Sequence, residues 1–155
     1  MSLFGSSGIR GVVGRDITTQ LAMDIGAAVG SSYPSILIAK DTRTTGDMLV
    51  NAIIAGATSA GAEVSSAGMV PTPTLARACS AFDCGLIVTA SHNPPEYNGV
   101  KMWNPDGSAF DTPQMGSMER AIVQKAFTKE AWNRVGRLKV HSGAAEAHVE
   151  AIARA

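Results

Sequence analysis

Ser91, His92 and Lys101 place a hydroxyl nucleophile and two proton-transfer groups in the run Ser91-His92-Asn93-Pro94-Pro95-Glu96-Tyr97-Asn98-Gly99-Val100-Lys101. Such a set suits covalent catalysis, in which an activated side chain takes up a group and passes it on. Pro94 and Pro95 stiffen the segment by fixing two backbone φ angles. A rigid surface connection made of ordinary turn residues would have much the same composition, so residue types alone leave both readings open.

A second candidate is Gly5-Ser6-Ser7-Gly8-Ile9-Arg10-Gly11. Small residues let backbone amides approach an anion, and Arg10 could add a bidentate phosphate contact beside Ser7. The alternative is a glycine-rich strand corner with a surface arginine. Asp41-Thr42-Arg43 reads as a loop braced by its own salt bridge and is kept off the catalytic set. The signatures GxxxxGK[ST], GxGxxG after a strand, and GxSxG are all absent. Gly26 to Gly30 reads as close helix packing. Cys79 and Cys84 match no metal or redox spacing and read as small buried thiols of a reducing, cytoplasmic protein. His141 and His148 read as solvent-facing helix residues rather than a metal pair.

These groups need a frame. Gly85-Leu86-Ile87-Val88-Thr89-Ala90 is an apolar run that reads as a buried strand delivering Ser91 to its end. Ser35–Ala39 reads as another strand and Glu63–Ala67 as a weak one. Helices are expected over Thr18–Gly30, from Thr44-Thr45-Gly46-Asp47 to Gly61, and from a Thr72-Pro73 cap to about Ala81. Met48, Ala52, Ile53 and Ala57 should face inward on the second. Val100–Trp103 and Ser108–Phe110 suggest a hairpin around Asn104-Pro105-Asp106-Gly107. Thr112-Pro113 should cap a further helix with Met115, Met118, Ile122 and Ala126 on one face. The alternation predicts a three-layer α/β/α domain with a mixed, largely parallel sheet, and in such sheets ligands bind beyond the carboxyl ends of the strands. After Phe127 the pattern loosens, up to an alanine-rich helix near the end.

Composition narrows the class. The 155 residues are 45% hydrophobic, enough for one domain with a core, and 13 basic side chains balance 13 acidic ones. Bulk charge therefore supports neither nucleic acid nor a membrane surface as a partner. No run is long and apolar enough to span a bilayer, and no signal peptide is visible.

The stretch from Thr89 to Lys101 resembles the phosphoserine loop of the α-D-phosphohexomutases, a family that includes phosphomannomutase/phosphoglucomutases and phosphoglucosamine mutases. Ser7-Gly8-Ile9-Arg10-Gly11 is similar to the family's first active-site segment, with Ser6 where a threonine is usual, and Asp41-Thr42-Arg43 matches a further segment in order. The resemblance implies that Ser91 carries a phosphoryl group, one oxygen of which binds Mg²⁺. It implies that His92 and Lys101 move the proton of the sugar hydroxyl, and that Ser7, Arg10 and Lys101 hold phosphate. The reaction implied converts hexose 1-phosphate to hexose 6-phosphate through a bisphosphate. Pro95-Glu96-Tyr97 looks more like the mannose/glucose branch, with glucosamine as the alternative sugar. The family's metal loop, sugar loop and second phosphate loop have no counterpart here. Residues 1–140 are thus expected to be the first domain of a longer enzyme, with 141–155 leading toward a second, and the piece alone is expected to be inactive. A naturally short module that only binds sugar phosphates is the competing reading.

Overall fold

Helix α1, Thr19–Ser32, begins where the Thr18 hydroxyl accepts the Leu21 amide at 3.1 Å, and it buries Ile25, Ala28 and Val29. It crosses α2, Gly46–Ser59, at a spacing only glycine permits: a Cβ on Gly56 would lie 2.0 Å from the Met23 carbonyl, and one on Gly26 2.0 Å from that of Ile53. The close packing expected around Gly26 and Gly30 is therefore real. Of the expected inward face of α2, Ile53 and Ala57 are buried and Ala52 is half-buried against the core; Met48 is the exception. Leu49, Val50, Ile53, Gly56 and Ala57 point inward, while Met48 is 42% exposed.

The computed structural model describes residues 3–5 and 8–155. Among them seven strands form one mixed sheet: β1 Phe4–Gly5, β2 Gly8–Val12, β3 Ser35–Lys40, β4 Glu63–Met69, β5 Cys84–Val88, β6 Tyr97–Trp103 and β7 Leu138–Val140. Their order is β1-β2-β6-β5-β3-β4-β7. From β5 through β3 and β4 to β7 the pairings are parallel, whereas β5–β6, β6–β2 and β2–β1 are antiparallel. The antiparallel share matches the parallel one because the Ser91 loop returns the chain directly beside β5, with no crossover helix.

Helices cover both faces, as a three-layer fold requires. One face packs Ile36, Ile38, Leu86, Val88, Val100 and Met102 against α1, α2 and α4, Thr112–Val123. The other packs Leu37, Ala39 and Ile87 against Leu75 of α3, Thr72–Ala78, and against Cys79 in the 3-10 turn that follows. Cys79 and Cys84 are buried free thiols. Burial pushes Cys79 up to about 11 and raises Cys84 further still.

Several element ends differ from expectation for local reasons. Pro71, not Thr72, occupies the cap of α3, its ψ of 151° keeping it extended at the residue before the helix. Asp111, not Thr112, caps α4, through a reciprocal box in which its carboxylate accepts the Gln114 amide and the Gln114 side chain accepts the Asp111 amide. Met118 and Ile122 face the core as expected, but Ala126 lies past the helix end and is exposed. The hairpin shrinks to a single bridge between Trp103 and Ala109, since β2 and β5 already occupy the edges of β6 over most of its length. Three-residue β7 is wholly exposed and exists only through pairing with β4, so periodicity could not reveal it.

Helix α5, Ala144–Ala153, lies against α3, with His148 Nδ1 2.8 Å from the Thr74 hydroxyl. His141 precedes that helix and meets Phe82 edge-on. Neither histidine is the solvent-facing helix residue that was expected. None of the described helices is long and apolar enough to cross a membrane.

Candidate active site at the carboxyl end of β5

Strand β5 is buried throughout, and the chain leaves it through buried Thr89 and Ala90 before Ser91 emerges exposed. Ser91 adopts φ +56°, a left-handed conformation that a side chain rarely takes without support. His92 is exposed beside it, its Nδ1 3.5 Å from the Ser91 Oγ, at the outer limit of a hydrogen bond. The serine and histidine are thus adjacent but not engaged as a pair.

The antiparallel half brings the two cations. Arg10 pairs with Gly99, and Lys101 pairs with Ile87, so strand alternation puts both side chains on the sheet face covered by α3. Between them the sheet is bare. A Cβ on Gly99 would lie 2.2 Å from the Ile9 carbonyl, and one on Gly8 would meet the Val100 carbonyl and the Lys101 stem. Arg10 reaches across to the serine loop, its Nη1 donating to Asn93 Oδ1 at 2.7 Å. Ser91, His92 and Arg10 therefore meet at the carboxyl end of β5, whereas Lys101, paired with Ile87 inside the strand, shares the sheet face with Arg10 but lines a separate cleft with Phe4, Gly8 and Trp103. Ser7 lies outside the described residues.

Asp41 and Arg43 hold this arrangement, and the brace reaches much further than their own loop. Strands β3 and β5 are parallel neighbours, so Asp41 emerges beside the root of the serine loop, where its amide donates to the Val88 carbonyl. The Asp41 carboxylate accepts the Thr89 hydroxyl at 2.7 Å, and the Thr89 oxygen accepts the Ser91 amide at 3.0 Å. Arg43 donates to the carbonyls of Ser91, Asn93, Pro94 and Tyr97. Buried Asn98 completes the frame by donating to the Thr45 hydroxyl at 2.9 Å, which leaves Thr45 at the start of α2 without a side-chain capping bond. Sequence reasoning missed Asn93, Thr89 and Asn98. The usable signal was the Asp-Thr-Arg triplet at the end of a strand adjacent to β5.

The groups are open to solvent. A shallow cleft of about 320 Å³ is lined by Asp41, Thr42, Arg43, Ser91, Asn93 and Pro95. A larger cavity of about 720 Å³ lies elsewhere, between Arg77, the Asp106 turn and the start of α5, and contains none of the four candidate catalytic residues. The smaller cleft is the candidate site because it holds Ser91, the one of the four candidate residues among its lining.

Mg²⁺ is the cofactor that the resemblance implies. Among the described residues no group of three or more His, Cys, Asp and Glu could hold an ion, and Asp41 in the cleft is already committed to Thr89 and Arg43. Among the described residues the donors do not form a cage; an oxygen on Ser91 is the ligand they could supply.

Comparison with known proteins agrees with this geometry. Residues 1–130 match the family model described as phosphoglucomutase/phosphomannomutase, alpha/beta/alpha domain I. The chain is 45% identical over 152 residues to a Methanosarcina acetivorans protein named "Probable phosphoglucosamine mutase", covering 98% of this chain and 35% of that one. It is 41% identical over 136 residues to phosphoglucosamine mutase of Methanococcus maripaludis, covering 88% and 30%. A solved phosphoglucomutase/phosphomannomutase family protein from Burkholderia thailandensis superposes with a TM-score of 0.82 at 34% identity, over 97% of this chain and 35% of that one. The chain thus spans about a third of the length of these relatives. Sheet, serine loop and family match converge: the chain belongs to the phosphoglucomutase/phosphomannomutase family, as its α/β/α domain I.

Proposed function

We propose that this domain supplies the phosphoryl-carrying wall of a phosphohexomutase, with Ser91 as the carrier. The observation that bears most weight is an exposed serine in a left-handed conformation, fixed at a strand end in a loop that Arg10 reaches through Asn93, with Lys101 on the same sheet face as Arg10. A hydroxyl of the hexose phosphate attacks the phosphorus of phosphorylated Ser91. The bond from phosphorus to Oγ breaks, and its electron pair stays on Oγ. Lys101 or His92 takes the proton of the sugar hydroxyl, and a proton returns to Oγ. The sugar is then a bisphosphate, and in the reverse sense its other phosphate passes back to Ser91. Arg10 and Lys101 stabilise the charge that develops on the phosphoryl oxygens during each transfer.

The remaining walls of the site, including a metal cage, belong to further domains of the same enzyme, and the 155 residues alone are expected not to turn over. Pro95-Glu96-Tyr97 favoured mannose or glucose, whereas both curated relatives described above are named for glucosamine phosphate. Glucosamine phosphate is therefore the first substrate to assay in the complete enzyme, against mannose and glucose 1-phosphates. Equal rates on all three would remove the preference. Ser91→Ala in the complete enzyme is expected to abolish turnover and covalent phosphate, and full activity in that variant would sink the proposal.

A further inference from the structure

We propose that Arg43 is a positioning residue for phosphoryl transfer, holding the main chain of the Ser91 loop rather than binding substrate; this rests on the reading of Ser91 as the carrier. A guanidinium has five N–H donors. Nη1 donates to the carbonyls of Pro94 at 2.8 Å and Tyr97 at 2.9 Å. Nη2 donates to those of Ser91 at 3.0 Å and Asn93 at 2.7 Å. The fifth donor, Nε, faces Asp41 Oδ2 at 3.5 Å, an ion-pair distance rather than a good hydrogen bond. The side chain is 13% exposed; four of its donors are committed to carbonyls, and the fifth, Nε, is buried without a hydrogen-bond partner, so it is not accessible to a phosphate.

Both peptide groups that flank the nucleophile trace back to this one ion pair. The Ser91 amide is held through Thr89 by Asp41, and the Ser91 carbonyl is held by Arg43. The left-handed φ of Ser91 is strained, and it persists because the clamp fixes the chain on each side. There is also an electrostatic consequence. A phosphoryl group on Ser91 carries nearly two negative charges, and carbonyl oxygens facing it would repel it. The guanidinium draws four of them to itself. Lysine cannot replace it, since one ammonium offers three donors from a single point.

The test uses the complete enzyme. Arg43→Met is expected to lower kcat about 100-fold while KM for the sugar phosphate stays within about threefold, since a small misplacement of a reacting group costs about that much and substrate contacts are untouched. Arg43→Lys should recover little. Arg43→Ala should regain activity with added guanidinium ion and not with ammonium. A KM increase above about tenfold at unchanged kcat would mean that the guanidinium touches substrate, overturning the proposal. Unchanged kcat and KM would overturn it too. If Arg43→Met does not fold, Thr89→Val, which cuts only the Asp41 branch, carries the same test, with a smaller fall in kcat expected at constant KM and an unchanged kcat counting against the clamp. Ser91→Ala separates the two readings: its retained activity defeats the carrier, whereas a dead Ser91→Ala beside a fully active Arg43→Met defeats only the clamp.

Discussion

The two halves of the sheet meet at β5 and are built on different principles. In the parallel half, β5-β3-β4-β7, the inner strands β5 and β3 are apolar and lie between two helical layers, and their stability comes from burial. The antiparallel half, β1-β2-β6-β5, carries glycines where a core would carry side chains, and its polar residues Arg10 and Lys101 sit on the exposed end of one face. Ser91 leaves the strand common to both. The difference separates the proposed roles: the antiparallel half would supply charge to Ser91, and the parallel half, through Asp41 and Arg43, would hold the Ser91 loop still.

Substitutions can break that contrast. The largest effect is expected at Arg10 and Lys101. Arg10→Gln or Lys101→Gln in the complete enzyme should lower kcat by about 10²–10³-fold, the usual loss when one stabilising donor is removed, with little change in melting temperature. A large fall in melting temperature with normal turnover would put these cations in the scaffold and erase the division.

Gly56→Ala probes the other half. In a helix, alanine would ordinarily gain about 1 kcal/mol over glycine. Here the new Cβ would lie 2.0 Å from the Met23 carbonyl and 2.8 Å from the Ala27 amide nitrogen, both main-chain atoms that cannot rotate away. A net destabilisation of about 2 kcal/mol is expected in chemical denaturation, with turnover per folded molecule unchanged in the complete enzyme. A stabilised variant would mean that α1 and α2 can separate at no cost.

The same division governs how much could be read from residues alone. Helix α1 was legible from its periodic apolar face, and strands β3 and β5 from continuous apolar runs, both of which are local properties. The Ser91 loop was legible from its residue types. Its clamp was not: Arg43 and the carbonyls it holds are about fifty positions apart and meet only because β3 and β5 are parallel neighbours. On α2 only Met48 was misjudged: Ile53 and Ala57 face the core as expected, and the glycine contact with α1 brings Gly56 inward beside them. Strand β7 has no inward face, so no pattern existed to find.

A smaller effect is expected at the start of α4, which covers the sheet face opposite the one that carries Arg10 and Lys101. Asp111→Ala removes one side of the capping box and should cost about 1 kcal/mol, read as a lower denaturation midpoint at an unchanged slope. Activity of the complete enzyme should not move.

The smallest effect distinguishes the halves by pH. Asp16 closes the turn after β2, where Arg15 donates to its carboxylate at 2.9 Å and the Val12 amide donates to it at 3.0 Å. Arg15 first, and the Val12 amide second, pull the Asp16 carboxyl down to about 2. An unfolded aspartate titrates near 3.9, so the folded state holds the proton more weakly than the unfolded one. The ionised form is therefore the one that stabilises the fold: its contribution is complete above about pH 5 and is lost as pH falls through about 4 to 2. The turn is fully exposed, and solvent screening keeps the contribution small. Asp16→Asn should melt slightly below the wild-type chain at neutral pH, and the gap should close across that acid window. A gap that stays constant down to pH 2 would mean that the turn depends on the shape of Asp16 and not on its charge. The antiparallel half would then owe this corner to steric fit, as the parallel half owes its helix crossing to Gly56.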